Sequence, residues 1–228
     1  HTSVDLTRWI IISPRRANAE TTKFLSLLNE VASGMKYTMG APKIVEIADD
    51  RVNTYATELQ KVIRLDPKFI MIVLPNANAD RYATVKKITC IQNAIPTQVI
   101  VQKTMMAKNG NWGGVKSVAT KVLIQMNCKL GGAAWTVKIP LSGCMTVGFD
   151  VTHDSTDKRK SFGAFVALLD VKRKAKFFSS VSSHMSGEEC SNNITVHMQK
   201  ALQSYRDEYG TLPEKILFYR DGVGDGDV

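Results

Sequence analysis

Two groups of side chains stand where their types and spacing could do chemistry, and the first is acidic. Asp150 ends the apolar stretch 145–150 (MTVGFD), and Asp221 ends the apolar stretch 215–221 (KILFYRD). If these stretches are neighbouring strands of one sheet, both carboxylates project to a common edge, where like charges repel unless a cation lies between them. Hard divalent ions such as Mg²⁺ favour oxygen-only sites of this kind. Two such ions about 4 Å apart can activate a water and stabilise the leaving oxygen in phosphodiester hydrolysis. Glu189 is the candidate third ligand. Each residue also has a plainer reading. Aspartate commonly ends a strand to begin a turn, and Ser186-Gly187-Glu188-Glu189 fits a helix capping box. Asp154, Asp157 and Asp225 read as solvated turn residues. His153, His184 and His197 show no metal-ligand spacing.

The second group is polar and lies upstream. Tyr82 and Lys86 are four apart on one expected helix, as are Gln125 and Lys129 on another, so each pair shares a helical face. A phosphate wants a cation, amide donors and a nearby hydroxyl, and an aromatic face can stack on an attached base. Asn76, Ala77, Asn78, Ala79, Asp80 and Arg81 follow an apolar strand, at the strand end where open α/β sheets place ligand-binding loops. The alternative is two solvated lysines and a half-buried tyrosine.

The elements that must hold these residues follow from hydrophobic periodicity. Residues 9–13 (WIIIS), Lys43–Ile47, Phe69–Leu74 and Thr97–Val101 read as strands, and 19–32, Val52–Ile63, 81–92 and 116–129 as helices. Strands separated by helices of this length predict a parallel sheet with crossovers, a small Rossmann-like domain. Gly131-Gly132 ends it, because glycine tolerates a left-handed helix cap. The pattern then turns strand-rich: 145–152, 161–169 and 176–183 form a meander, followed by a helix over 187–208 and a buried strand at Lys215–Arg220. The order β-β-β-α-β is that of an RNase H-like fold without its later elements. The expected boundary separates residues 1–135 from 136–228.

Composition limits the function classes. Of 228 residues, 44% are hydrophobic and 22% charged, an ordinary globular balance. The longest apolar run, Phe69–Leu74, is far short of the ~20 residues of a membrane span, so no membrane partner is expected. Cys90, Cys128, Cys144 and Cys190 are scattered without a CxxC pair, which suggests neither a zinc site nor a disulfide framework. The chain starts at His1 with neither signal nor transit character, and reads as an excised piece. Residues 1–149 hold 19 Lys/Arg against 9 Asp/Glu, whereas 150–228 hold 11 against 12. The positive excess therefore belongs to the first region and points to a polyanion. A small-nucleotide Rossmann domain is a competing reading, but no G-x-G-x-x-G follows the first strand.

Several strings together resemble one family. Y-R-D-G-V-G-D-G at 219–226, G-F-D-V-T-H-D at 148–154, N-C-K-L-G-G at 127–132, Tyr82-x-x-x-Lys86 and Thr97-Gln98 resemble the MID domain and first half of the PIWI domain of Argonaute proteins, in particular the Piwi clade. The resemblance implies a Rossmann-like MID domain at 1–135 and a partial RNase H-like PIWI domain at 136–228. It implies that Tyr82 stacks on the first base of a guide RNA, that Lys86, Gln98 and Lys129 hold its 5′ phosphate, and that Gln125 is a second phosphate ligand or holds a divalent ion beside it. Residues 76–81 match the loop that reads the first base. Asp150, Glu189 and Asp221 match the slicer residues, implying Mg²⁺- or Mn²⁺-dependent cleavage of target RNA paired to a piRNA guide, with a fourth ligand beyond Val228. A germline, transposon-silencing role, Tudor-type partners, and residence in perinuclear cytoplasmic granules, or alternatively the nucleus, are further implications. The competing implication is a guide-binding module that silences through partners without cutting.

Overall fold

A computed structural model describes residues 3–135, 141–154, 157–169, 176–185 and 191–220. Contacts divide the chain into His1–Trp135 and Thr136–Val228, each taken by itself below.

The first unit contains β1 (Trp9–Pro14), α1 (Asn18–Gly34), β2 (Lys43–Ile47), α2 (Val52–Ile63), β3 (Phe69–Leu74), α3 (Ala79–Lys86), β4 (Thr97–Val101) and α4 (Trp112–Lys129). All strand pairs are parallel, in the order β2-β1-β3-β4. Strand side chains alternate between faces, and here both faces are covered. Trp9, Ile11, Phe69, Met71 and Val73 pack against Phe24 and Leu28 of α1 and Leu123 and Met126 of α4. Ile10, Ile12, Ile70, Ile72 and Leu74 pack on the other side against Tyr55 and Leu59 of α2 and Val85 of α3. That double burial is why β1 and β3 read as uninterrupted apolar runs.

Two helices depart from the expected limits. Asn111 caps α4 by accepting from Gly113 N and Gly114 N, so this helix begins four residues earlier than periodicity suggests. The expected helix 81–92 starts at Ala79, capped by Asn78, and continues past Lys86 as a π-helical turn over Lys87–Gln92. At the other end of α4, Gly131 takes φ +92°, the left-handed conformation that closes a helix. Gly132 has a different reason to be glycine: a Cβ there would collide with the Asn127 side chain, which is itself engaged by Val4 N.

In the second unit, β5 (Cys144–His153), β6 (Lys160–Leu168) and β7 (Phe177–Met185) form an antiparallel meander. After α5 (Ser191–Tyr209), β8 (Lys215–Arg220) returns parallel to β5, giving the order β7-β6-β5-β8. Met145, Val147, Phe149, Phe165 and Ala167 pack against Ala201 and Tyr205 of α5. β8 corrects the expectation of a buried strand, because every one of its residues is exposed, including Ile216, Leu217 and Phe218. Among the described residues it pairs with β5 alone, at the edge of the sheet. Hydrophobicity identified the strand but not the covering layer.

Candidate functional site: a cationic pocket and an exposed strand carboxylate

The polar residues of the first unit converge. The turn of α3 brings Lys86 above the edge of β4, where its Nζ donates to Thr97 Oγ1 at 2.8 Å. The last turn of α4 brings Lys129 to the same strand. Its Nζ donates to the Thr97 carbonyl and to Gln98 Oε1, each at 2.8 Å. Gln98 Nε2 then donates to Gln125 Oε1 at 3.3 Å. Tyr82, one turn before Lys86, leaves half its surface open, with the Lys86 ammonium 5.8 Å from its ring centroid. All five expected residues of the pocket therefore lie within one connected arrangement.

Its electrostatics are unbalanced. Burial, and secondarily the Lys86 charge, hold Lys129 below the usual lysine range, while nearby Cys90 acts weakly the other way. Among the described residues neither lysine has a carboxylate partner. The ammonium groups instead donate to neutral hydroxyl, carbonyl and amide oxygens. Such a pocket gains from an anion that accepts from both cations, and a charge-assisted bond is about twice as strong as a neutral one.

Thr97 is the residue whose role the sequence did not disclose. It is 3% exposed and receives one lysine on its hydroxyl and the other on its carbonyl. Periodicity marks it only as the first residue of a strand. The Thr97-Gln98 pair in the resemblance was the one available signal.

Residues 76–81 lie at the carboxyl end of β3, as expected for a ligand-binding loop. Asn78 Oδ1 accepts from Arg81 N and caps α3, while Arg81 Nη1 donates to Asn76 Oδ1 at 2.7 Å. Ala77, Ala79 and Asp80 are solvent-facing or nearly so.

In the second unit Asp150 does not end its strand as expected, because β5 stays paired with β6 as far as His153. Asp150 is exposed, on the face opposite Phe149, which is buried under α5. Its Oδ1 accepts from Val151 N at 2.8 Å. The parallel register ends by pairing Phe149 with Arg220, and each of these is followed in the sequence by an aspartate. Asp221 and Glu189 themselves lie outside the described residues. Among the described residues there is no cluster of three or more His, Cys, Asp or Glu side chains able to hold a metal.

A family model described as the Piwi domain matches residues 69–228. The chain belongs to the Piwi family. It is 44% identical over 226 residues to protein aubergine of Drosophila melanogaster, covering 99% of this chain and 26% of that protein. It is 43% identical to Piwi-like protein Siwi of Bombyx mori, covering 98% of this chain and 24% of that one. The crystal structure of Drosophila Piwi superposes with a TM-score of 0.87 at 39% identity, over 96% of this chain and 29% of that chain. The MID-PIWI domains of the N. crassa QDE-2 Argonaute share the fold at a TM-score of 0.72 and 19% identity, over 98% of this chain and 65% of that one. Placement in the Piwi clade of Argonautes agrees with the resemblance read from the motifs. The chain spans about a quarter of the length of these curated relatives. No described helix of this Piwi-family chain is long and apolar enough to cross a membrane.

Proposed function

We propose that the first unit is a MID domain that anchors the 5′-phosphorylated end of a guide RNA, a piRNA in the parent protein. The carrying observation is the convergence of Lys86 and Lys129 on Thr97 and Gln98, with no acidic partner among the described residues. A terminal phosphate would accept from both ammonium groups and from the Gln98 amide, replacing neutral acceptors with a charged one. Tyr82, open on the same helix, would stack on the first base. Gln125 offers an amide oxygen, a donor type that hard cations accept. Beside two lysines, a divalent ion at Gln125 fits only with the phosphate's own charge present. The experiment is a comparison of 5′-phosphorylated and 5′-hydroxyl RNA of one sequence on the full chain. The phosphorylated form is expected to bind at least tenfold more tightly, and equal affinities would remove the assignment.

For the second unit the proposal is half of a slicing site, with Asp150, Glu189 and Asp221 as acidic ligands. Three carboxylates form an oxygen-only donor set suited to Mg²⁺ or Mn²⁺. When bound, such ions supply an activated water and stabilise the leaving oxygen. What supports the reading is the β5–β8 register, which ends with Phe149 beside Arg220, each followed in the sequence by an aspartate. The net reaction would add water across a target phosphodiester, leaving a 3′ hydroxyl and a 5′ phosphate. The parent protein, loaded with a guide, is expected to cut a matched target, and Asp150→Ala or Asp221→Ala to abolish cutting. Cutting that survives both changes would sink the assignment. The guide-binding module without slicing remains the alternative outcome of that assay.

A further inference from the structure

Three turns at the carboxyl edge of the first sheet meet on one carboxylate. Arg16 follows β1, Asp50 follows β2, and residues 76–81 follow β3. Asp50 Oδ2 accepts from Arg16 Nη2 at 2.8 Å and also from Arg81 Nη2. The Arg81 side chain is only 16% exposed, against 57% for Arg16, so the Asp50–Arg81 pair is the more protected of the two. Arg81 uses its other terminal nitrogen on Asn76 Oδ1. Beneath them the fully buried Tyr55 donates to the Val73 carbonyl, fixing the end of β3 from which the loop departs.

The direction of the Asn76 amide follows from chemistry. A guanidinium can only donate, so the oxygen of Asn76 must face Arg81 and the NH₂ group is the end left for other partners. Among the described residues that NH₂ group has no acceptor, and Asn76 is exposed. We propose that Asp50 is a positioning residue for first-base selection. Through Arg81 it locks Asn76 with its donors outward, so that the loop favours a first base with carbonyl acceptors, such as uracil, over one presenting an amino group at that edge. This rests on reading residues 76–81 as the first-base loop.

The test uses the full chain and 5′-phosphorylated RNAs identical except for a first U, A, C or G. The wild type should prefer U to A. Asp50→Ala should reduce that preference by about fivefold, the worth of one lost hydrogen bond, while the ratio of 5′-phosphate to 5′-hydroxyl affinity stays put. Asn76→Asp, which replaces the outward donors with an acceptor, should shift the preference toward A. Arg16→Ala should leave it within about twofold, because the Asp50–Arg81 pair remains. If Asp50→Ala does not fold, Arg81→Lys carries the same comparison, since an ammonium cannot span Asp50 and Asn76 in fixed geometry. Base preference that survives in both Asp50→Ala and Asn76→Asp overturns the inference alone. So does base preference that falls in step with phosphate preference, which would mean general collapse of the pocket. A wild type with no base preference overturns the inference together with the loop reading beneath it.

Discussion

Lys129 is the residue on which protonation and binding meet. Its folded-state pKa lies below the usual lysine value, first through burial and then through Lys86. A bound phosphate would favour the ammonium and raise that pKa again. Between the two values, binding takes up a proton, so affinity falls as pH rises. The preference for 5′-phosphate is therefore expected to decay on the alkaline side beginning below pH 10.5, the ordinary lysine value. Alkali-resistant 2′-O-methyl guides would measure it, and a preference flat through that range would contradict the account. Thr97→Val is expected to weaken phosphate binding by about three- to tenfold, since it frees Lys86 from the Thr97 hydroxyl that holds it. Thr97→Ser should restore it.

At the scale of elements, α5 contains a buried group that costs stability. His197 is 5% exposed, its ring lies 5.7 Å from that of Phe165, and neither ring nitrogen has a partner among the described residues. Burial, and then the Lys200 charge, hold its pKa below the usual 6.5. The folded state thus favours the neutral ring, whereas the unfolded state takes a proton as pH falls through 6.5. Stability is expected to be complete above that value and to decline below it. His197→Phe should flatten the decline and add about 1 kcal/mol at neutral pH, the order of one unsatisfied polar group. Urea denaturation at pH 5 and pH 7 would read both effects. The end of α4 offers the opposite case. Gly132→Ala should cost about 1–3 kcal/mol by forcing Asn127 off its bond to Val4.

These elements also show how far the sequence could be read. Phe69–Leu74 was legible because both faces of a crossover-covered strand must be apolar, leaving no polar alternation to misplace. The α4 cap was missed because Trp112-Gly113-Gly114 does not look helical until Asn111 is seen to hold its amides. The π-helical turn after Lys86 has no periodic signature over six residues. That Lys86 shares a helical face with Tyr82, and Lys129 with Gln125, was legible from spacing, whereas Gln98 entered only through the resemblance. The roles of Thr97 and Asp50 were not legible, because what they do depends on contacts with residues 11 and 31–34 positions away. β8 was read correctly as a strand and wrongly as buried, since apolar content reports what a segment can pack against and not whether that layer is present.

At the scale of the molecule, the charge is divided between the units. The first unit, His1–Trp135, carries 18 Lys/Arg against 9 Asp/Glu, a net +9, and the second, Thr136–Val228, carries 12 against 12, so the positive excess lies wholly in the unit that would hold a polyanion. If about three guide phosphates are neutralised, single-strand counterion release gives a slope near −2 in log affinity against log salt. Binding of a 5′-phosphorylated guide is then expected to weaken roughly twentyfold between 50 and 200 mM salt. A slope near zero would remove the polyanion reading of the basic surface.

The most direct test of the account is a double-mutant cycle between Lys129 and the guide's terminal phosphate. Dissociation constants of the wild type and Lys129→Gln for 5′-phosphorylated and 5′-hydroxyl RNA isolate the pairwise term from general effects on RNA affinity. A direct charge-assisted contact predicts a coupling of about 1.5–3 kcal/mol, so that Lys129→Gln loses about 10- to 150-fold on phosphorylated RNA beyond its loss on hydroxyl RNA. Equal losses on the two RNAs would place the phosphate elsewhere and contradict the assignment.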